Sequence, residues 1–240
     1  MFRGMSTTTN AAMEVPGTEP GAGRRFSEPA RRLLDAADEL FYDRGVDATT
    51  VREITSACGL SPAALYNHFS SKEELLYVLV RHRHARIEED VMAAQRAVAG
   101  DPLAELGAIV RVYVRTHIGN RRGVSVANQA YRHLTGENLD EVVAIRRRLR
   151  DRVVSVLREG ARVGVFDICG GSDSRSLTLT ASTVLEMCIN CSQWLRRGGS
   201  MGVDELEDRF VQLTLRLVGA APHWPPGSAG LVRAEDPPSW

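Results

Sequence analysis

Tyr66, Asn67 and His68 stand side by side in the chain, with Ser61, Ala63 and Ala64 just before them and Lys72 just after. A phenol, an amide, an imidazole and an ammonium in so short a stretch supply hydrogen-bond donors. They come without a paired acid or an activated nucleophile. That chemistry grips anions and reads base edges; it does not break bonds. The two alanines let a helix sink into the ~12 Å major groove of a duplex, while Tyr66 and His68 reach the flanking phosphates. Lys72 has two readings. It is a solvated surface lysine, or it joins the free N–H groups of a helix start in holding a DNA phosphate. A cation in a first turn opposes the helix dipole at ~0.3–1 kcal/mol, and a phosphate there reverses the sign.

These residues need a rigid mount, and the local signals predict one. A first helix begins at Ser27 with Pro29 in its opening turn, carries Leu33, Leu34, Ala37, Leu40 and Phe41 on one face and stops at Gly45. Thr50-Val51-Arg52-Glu53 is a capping box, in which the Thr hydroxyl accepts from the third helical N–H and Glu53 reaches back. The short helix behind it buries Val51, Ile54 and Cys58 and ends at Gly59. Ser61-Pro62 starts another helix, running through Phe69, and Ser71 with Glu74 starts the next. Two short helices joined by a glycine turn have the spacing of a helix-turn-helix. Leu65 and Phe69, four apart, face inward with Ile54 and Cys58, which leaves Ala63, Ala64, Tyr66, Asn67 and His68 outside.

The stretch ATTVREITSACGLSPAALYNHFSSKEELLYVLV, within residues 28–85, resembles the N-terminal domain of TetR-type regulators. The shared features are the Thr-Thr-Val-Arg start, the Ala-x-x-x-Gly-Leu-Ser turn and Leu-Tyr-x-His-Phe-x-Ser-Lys-Glu-Glu-Leu. The resemblance implies that Thr50, Tyr66, His68 and Lys72 hold phosphates and that Arg52, Ser61, Ala63, Ala64 and Asn67 face bases or their edges. Ala63 stands where the family often has Lys or Arg, so specificity shifts toward Arg52, Asn67 and DNA shape. The implied protein is a homodimeric transcriptional repressor on a near-palindromic operator, with recognition helices ~34 Å apart, released by a small apolar effector. An activator or an adaptor without a ligand is the alternative.

The charge distribution sets a condition on this. Thirty basic and thirty acidic residues give a formal net charge of zero, and residues 24–73 hold seven basic and eight acidic side chains. DNA binding must then rest on few phosphate contacts per subunit plus dimerisation, and should be sensitive to salt.

Helical spacing continues through the rest, giving an all-α chain of about nine helices. Residues 1–26 and 221–240 read as disordered tails, 27–72 as the helix-turn-helix DNA-binding domain and 73–220 as a helical ligand-binding and dimerisation domain. Helices are predicted from Asp101-Pro102 to Ile118, over Gly123–His133, from Leu139 to Arg162 (with Val142, Ile145, Leu149, Val153 and Val156 on one stripe), over Ser172–Arg197 and over Val203–Gly219. The helix from Leu177 to Leu195 is apolar on nearly all sides, and the last helix lines up Leu206, Phe210, Leu213 and Leu217. Both features suit pairing across a two-fold axis into a four-helix bundle, which the resemblance also implies. Expected pocket walls are Ile109, Val112, Tyr113, Tyr131, Phe166 and Trp194, although residues of each type at such positions are more often plain core. Cys191-Ser-Gln-Trp-Leu-Arg-Arg-Gly-Gly resembles a turn in TetR members controlling fatty-acid or steroid breakdown, which implies an acyl-CoA thioester as effector. Arg196 and Arg197 would then hold CoA phosphates, or else stabilise the helix C-terminus.

Other chemistries find less support. Cys188-x-x-Cys191 lacks the second ligand pair of a structural zinc site and reads as two small apolar residues in a packed helix. His82 and His84, two apart, diverge on a helix, so no metal site is expected from them with His117 and His133. Gly198-Gly-Ser-Met-Gly202 matches G-x-S-x-G in letters, but a nucleophile elbow needs a preceding strand, and a helix is predicted there. No catalytic residues, cofactor or metal are expected. No apolar run reaches membrane-spanning length and no secretory signal is visible, so the expected location is the cytoplasm.

Overall fold

The computed structural model describes residues 26–194 and 201–220. It contains nine α-helices among the described residues: α1 Glu28–Arg44, α2 Val51–Ala57, α3 Pro62–Tyr66, α4 Lys72–Ala97, α5 Pro102–Gly119, α6 Arg121–Ala130, α7 Gly136–Arg162, α8 Ser174–Trp194 and α9 Val203–Leu217. A single 3₁₀ turn, Tyr131–His133, ends what the sequence reads as one helix to His133.

The first three helices follow their local signals. The Ser27 hydroxyl accepts the Ala30 N–H, and α1 buries Leu33, Ala37 and Phe41, with Leu34 and Leu40 at the margins. The box at Thr50 is complete, with the Glu53 carboxylate accepting the Thr50 N–H at 2.8 Å. Gly59 turns the chain at φ 66°, a left-handed conformation that side chains with a Cβ rarely take. Helix α3 ends at Tyr66, three residues earlier than the spacing predicts. The Leu65 carbonyl takes the N–H groups of both His68 and Phe69 at 2.9 Å, and this tightened turn returns Phe69 to the core. The Phe26 ring, expected in the N-terminal tail, meets His82 of α4 edge-on at 5.8 Å; the other residues of both predicted tails lie outside the described residues.

Two apolar cores result. The first joins α1–α3 to Leu75–Val80 of α4 and takes in Val126, Ala130, Leu134 and Val142. A boundary at residue 72 therefore separates helices without separating packing. An ion pair between Arg83 of α4 and Asp38 of α1, at 2.8 Å, adds a polar tie across it. The second core surrounds α5, which touches α4, α6, α7, α8 and α9. The α7 stripe of Val142, Ile145, Leu149, Val153 and Val156 is buried throughout.

Within that core Phe166 packs against the bare backbone of Gly160; a Cβ there would sit 2.0 Å from a ring carbon. Gly160→Ala is thus expected to lower stability by about 1–3 kcal/mol, because a buried ring has nowhere to withdraw. Urea unfolding followed by circular dichroism measures it.

Helix α8 turns much of its apolar surface, though not all of it, into its own subunit. Leu177, Ala181, Val184, Leu185, Cys188 and Cys191 all pack into the chain's own core, and Leu179 is left 69% exposed. The predicted α9 stripe also divides. Leu206 and Phe210 are buried, joined by Val211 and Val218, while Leu213 and Leu217 face solvent. Burial pushes both thiols up, Cys191 to about 11, so both stay neutral and behave as small apolar groups.

Candidate nucleic-acid interface and effector cavity

Leu65, Phe69, Ile54 and Cys58 hold α2 and α3 from behind. On the other side Tyr66 is 57% exposed, Asn67, His68 and Ala63 are exposed, and Ala64 is half-buried. Ser61 occupies the N-cap position of α3 but makes no side-chain cap bond, so its exposed hydroxyl is available to a ligand. Arg52 is exposed in the first turn of α2 and forms no ion pair among the described residues. The structure thus gathers Arg52, Ser61, Ala63, Tyr66, Asn67 and His68 as open donors and small side chains.

Thr50 and Lys72 are placed differently. The Thr50 hydroxyl donates to Glu53 at 2.8 Å and accepts its N–H at 3.3 Å, so the cap occupies it. These bonds from Thr50 hold the Glu53 carboxyl below its ordinary range, and Arg44 stands 3.0 Å away. Lys72 is half-buried, and its ammonium turns toward backbone. Its ammonium donates to the carbonyls of Val46 and Thr49, both at 2.9 Å, and pins the loop between α1 and α2 to the start of α4. Lysine carries three rotatable donors on a compact head, which suits two converging carbonyls. This is the chain's single lysine among thirty basic residues.

A cavity of about 290 Å³ lies between α4, α5, α6, α7 and α8 and shares His117, Asn128, Tyr131, Arg146, Glu186 and Ile189 with a more polar chamber of about 520 Å³. Of the expected pocket walls, Tyr113 and Tyr131 line it. Ile109 and Phe166 are core, and Val112 packs beside them, so the structure does not bring these three to the cavity. The side chain of Trp194, and Arg196 altogether, lie outside the described residues.

Sequence reading missed the polar heart of this cavity. His84 Nδ1 donates to the Val80 carbonyl at 2.9 Å, and His117 Nδ1 to that of Tyr113 at 2.7 Å. Each remaining ring nitrogen must then accept: His84 Nε2 from Arg146 at 3.1 Å, His117 Nε2 from the Asn128 amide at 3.2 Å. The Asn128 oxygen accepts from the same Arg146 Nη1 at 3.1 Å, and the guanidinium lies over Tyr131, 4.6 Å from its centroid. Both histidines are neutral in this network. Burial pushes His84 down to about 4, and burial also lowers His117. A signal was present. Three arginines in succession, 146–148, span more than half the circumference of a helix, so one had to face a neighbour.

His84 makes a pH prediction. The unfolded chain takes up this proton near pH 6.5, the folded chain only near 4, so stability falls as pH drops through that window. Above 6.5 the group is silent, and below 4 its loss, about 3 kcal/mol, is complete. In His84→Gln, which can still accept from Arg146, melting temperature should fall less than in the parent between about pH 7 and about pH 5. An equal fall in both would contradict this assignment.

Among the described residues there is no strand, no helix long and apolar enough to cross a membrane, and no cluster fit to hold a metal. Gly198, Gly199 and Ser200 of the G-x-S-x-G string lie outside the described residues.

Comparison with known proteins agrees with this geometry. Residues 33–78 match the family described as "Bacterial regulatory proteins, tetR family", and residues 99–218 match "Tetracyclin repressor-like, C-terminal domain". The chain is 29% identical to the HTH-type transcriptional repressor KstR2 of Rhodococcus jostii RHA1, across 86% of this chain and 99% of that one. A solved tetR-family regulatory protein from Rhodococcus RHA1 superposes with a TM-score of 0.74 at 30% identity, covering 82% of this chain and 100% of that one. AibR, solved with isovaleryl coenzyme A and operator DNA, gives 0.70 at 24% identity over 81% and 100%, a likeness of fold.

Proposed function

As the chain belongs to the TetR family of bacterial regulatory proteins, we propose that it is a homodimeric repressor that occupies a near-palindromic operator and leaves it when a small molecule fills the α4–α8 cavity. It works in the cytoplasm, where the operator is. The observation that carries the reading is the outward side of α3, where Tyr66, Asn67 and His68 stand free while Leu65 and Phe69 are buried behind them. In this reading Tyr66 and His68 hold phosphates, Arg52, Ser61 and Asn67 meet base edges, and Ala63 and Ala64 permit close approach. Lys72 acts by shaping the loop that carries Thr50, whichever further contact its third donor makes.

The dimer is supported by exposed leucines, Leu213 and Leu217 on α9 and Leu179 on α8, which only another surface can cover. The link between cavity and DNA is supported by α4, a continuous helix whose first residue, Lys72, bonds the DNA-side loop and whose His84 stands in the cavity wall, about 18 Å away along its axis. The effector is an acyl compound. The smaller chamber offers Ile87, Tyr113, Leu149 and Leu185 to an apolar body, and an acyl-CoA thioester would extend into the larger, more polar one.

A gel shift on the DNA upstream of the protein's own gene, repeated with acyl compounds, tests the reading. A shift abolished by a ligand is the expected result. A shift that every ligand leaves intact favours an adaptor without an effector, and no shift on any palindrome of that region contradicts DNA binding. The protein's near-neutral charge adds a second expectation. Few phosphates are contacted per subunit, so affinity should fall steeply, yet less than for a strongly basic binder, between about 50 and about 200 mM salt.

A further inference from the structure

Arg146 is a cation without a counter-ion. Its Nη1 serves two neutral acceptors, His84 Nε2 and the Asn128 oxygen, and its face rests on Tyr131. Nε and Nη2 meet no acceptor among the described residues and are not sealed into the core, and Arg146 lines the cavity, which leaves these donors for a ligand there. The surrounding charge does not compensate. Arg146, Arg147 and Arg150 line the smaller chamber against one carboxylate, Glu186, which the Asn190 amide already engages at 3.0 Å. Arg150 is paired with Asp151 at 2.8 Å, while Arg147 has no ion pair among the described residues.

We propose that the smaller chamber recognises a carboxylate. The site rests on the effector reading above and deepens it: the acyl compound binds as the free acid anion, and Arg146 is its specificity-determining residue. The Nε–Nη2 edge of a guanidinium is a planar fork that matches the two oxygens of a carboxylate, and an anion there neutralises a charge that the folded protein leaves half-buried. An amide or a thioester carbonyl can accept from one donor but leaves that charge standing. Behind the fork, Ile87, Tyr113, Leu149, Leu185 and Ile189 receive an alkyl or aryl body. At about 290 Å³ the chamber suits a short acid. Nη1 keeps its bonds to His84 and Asn128, so binding need not dismantle the network.

Calorimetric titration of the full chain tests this with butanoate, hexanoate, octanoate and phenylacetate, each against its primary amide, and with octanoyl-CoA. At least one acid should bind about ten- to a hundredfold more tightly than its amide. Arg146→Gln, which keeps a donor but loses the charge, should erase that preference, and Arg146→Lys should restore part of it. Ligand-free operator binding confirms that each variant is folded; the acid–amide comparison in the unaltered protein needs no variant. Equal binding of acid and amide, no binding by any acid of the series, or a preference that survives in Arg146→Gln would overturn the proposal. Release of operator by octanoyl-CoA but by none of the acids would overturn it too, while leaving the effector reading intact. Failure of the unaltered protein to bind operator would instead strike the reading beneath it.

Discussion

Glutamate at both Leu213 and Leu217 is expected to leave the protein monomeric at micromolar concentration and to weaken operator binding by about 10²–10⁴-fold. Both leucines lie on α9, 49% and 42% exposed in the single chain, and neither belongs to a core cluster. The substitution therefore spares the fold of each protomer. In the proposed dimer a two-fold axis brings each leucine into the interface twice, and burying one is worth ~1.5–3 kcal/mol. Four carboxylates facing one another remove that gain and add repulsion. A single recognition surface then holds one half-site, without the second contact that a tethered partner makes nearly free of entropic cost. Light scattering reports the assembly, circular dichroism the intact fold, and a gel shift the affinity. A double variant that stays dimeric places the interface elsewhere.

Loss of the ammonium at Lys72 has the second large effect. In Lys72→Met the aliphatic stem remains, but the Val46 and Thr49 carbonyls each lose a charged donor at 2.9 Å. The cost is about 1–3 kcal/mol. It falls on the loop that sets Thr50 and the start of α2, so operator affinity drops for every sequence. A lysine that only met phosphate would give a different result: unchanged melting temperature and a salt slope smaller by about one. The structure predicts a lower melting temperature and faster amide exchange around residues 46–50. Lys72→Arg should not rescue it, because a flat, wider guanidinium cannot place two donors on both carbonyls as the compact ammonium does. Its use at this one position, in a chain that elsewhere chooses arginine, fits that requirement.

Legibility in the sequence followed the range of the interactions. Ser27, the Thr50–Glu53 box, Gly59 and Ser71 act within one turn of backbone, and the helix starts and stops they predict are present. The exposure of Tyr66, Asn67 and His68 follows from Leu65 and Phe69 four residues apart, again a local fact. Lys72 escaped because its partners lie 23 and 26 residues back and are backbone atoms, which no residue pattern reveals. The cavity escaped for a similar reason. Aromatic side chains were natural pocket walls, and Tyr113 and Tyr131 are two, yet Phe166 fills the space that Gly160 leaves in the core. The outcome depends on which helix faces meet. The same holds for α9, where Leu213 and Leu217 share a spacing with Leu206 and Phe210 but lie past the edge of the surface that α5 covers.

Footprinting and titration of the upstream DNA with the parent protein and with Tyr66→Ala/Asn67→Ala/His68→Ala test the recognition surface most directly. All three side chains are exposed, so the variant should keep the parent's melting temperature. The parent should protect a near-palindromic site with half-sites about 34 Å apart, and the variant should protect nothing. A variant that covers the same site with the parent's affinity and salt dependence would mean that another surface reads the DNA.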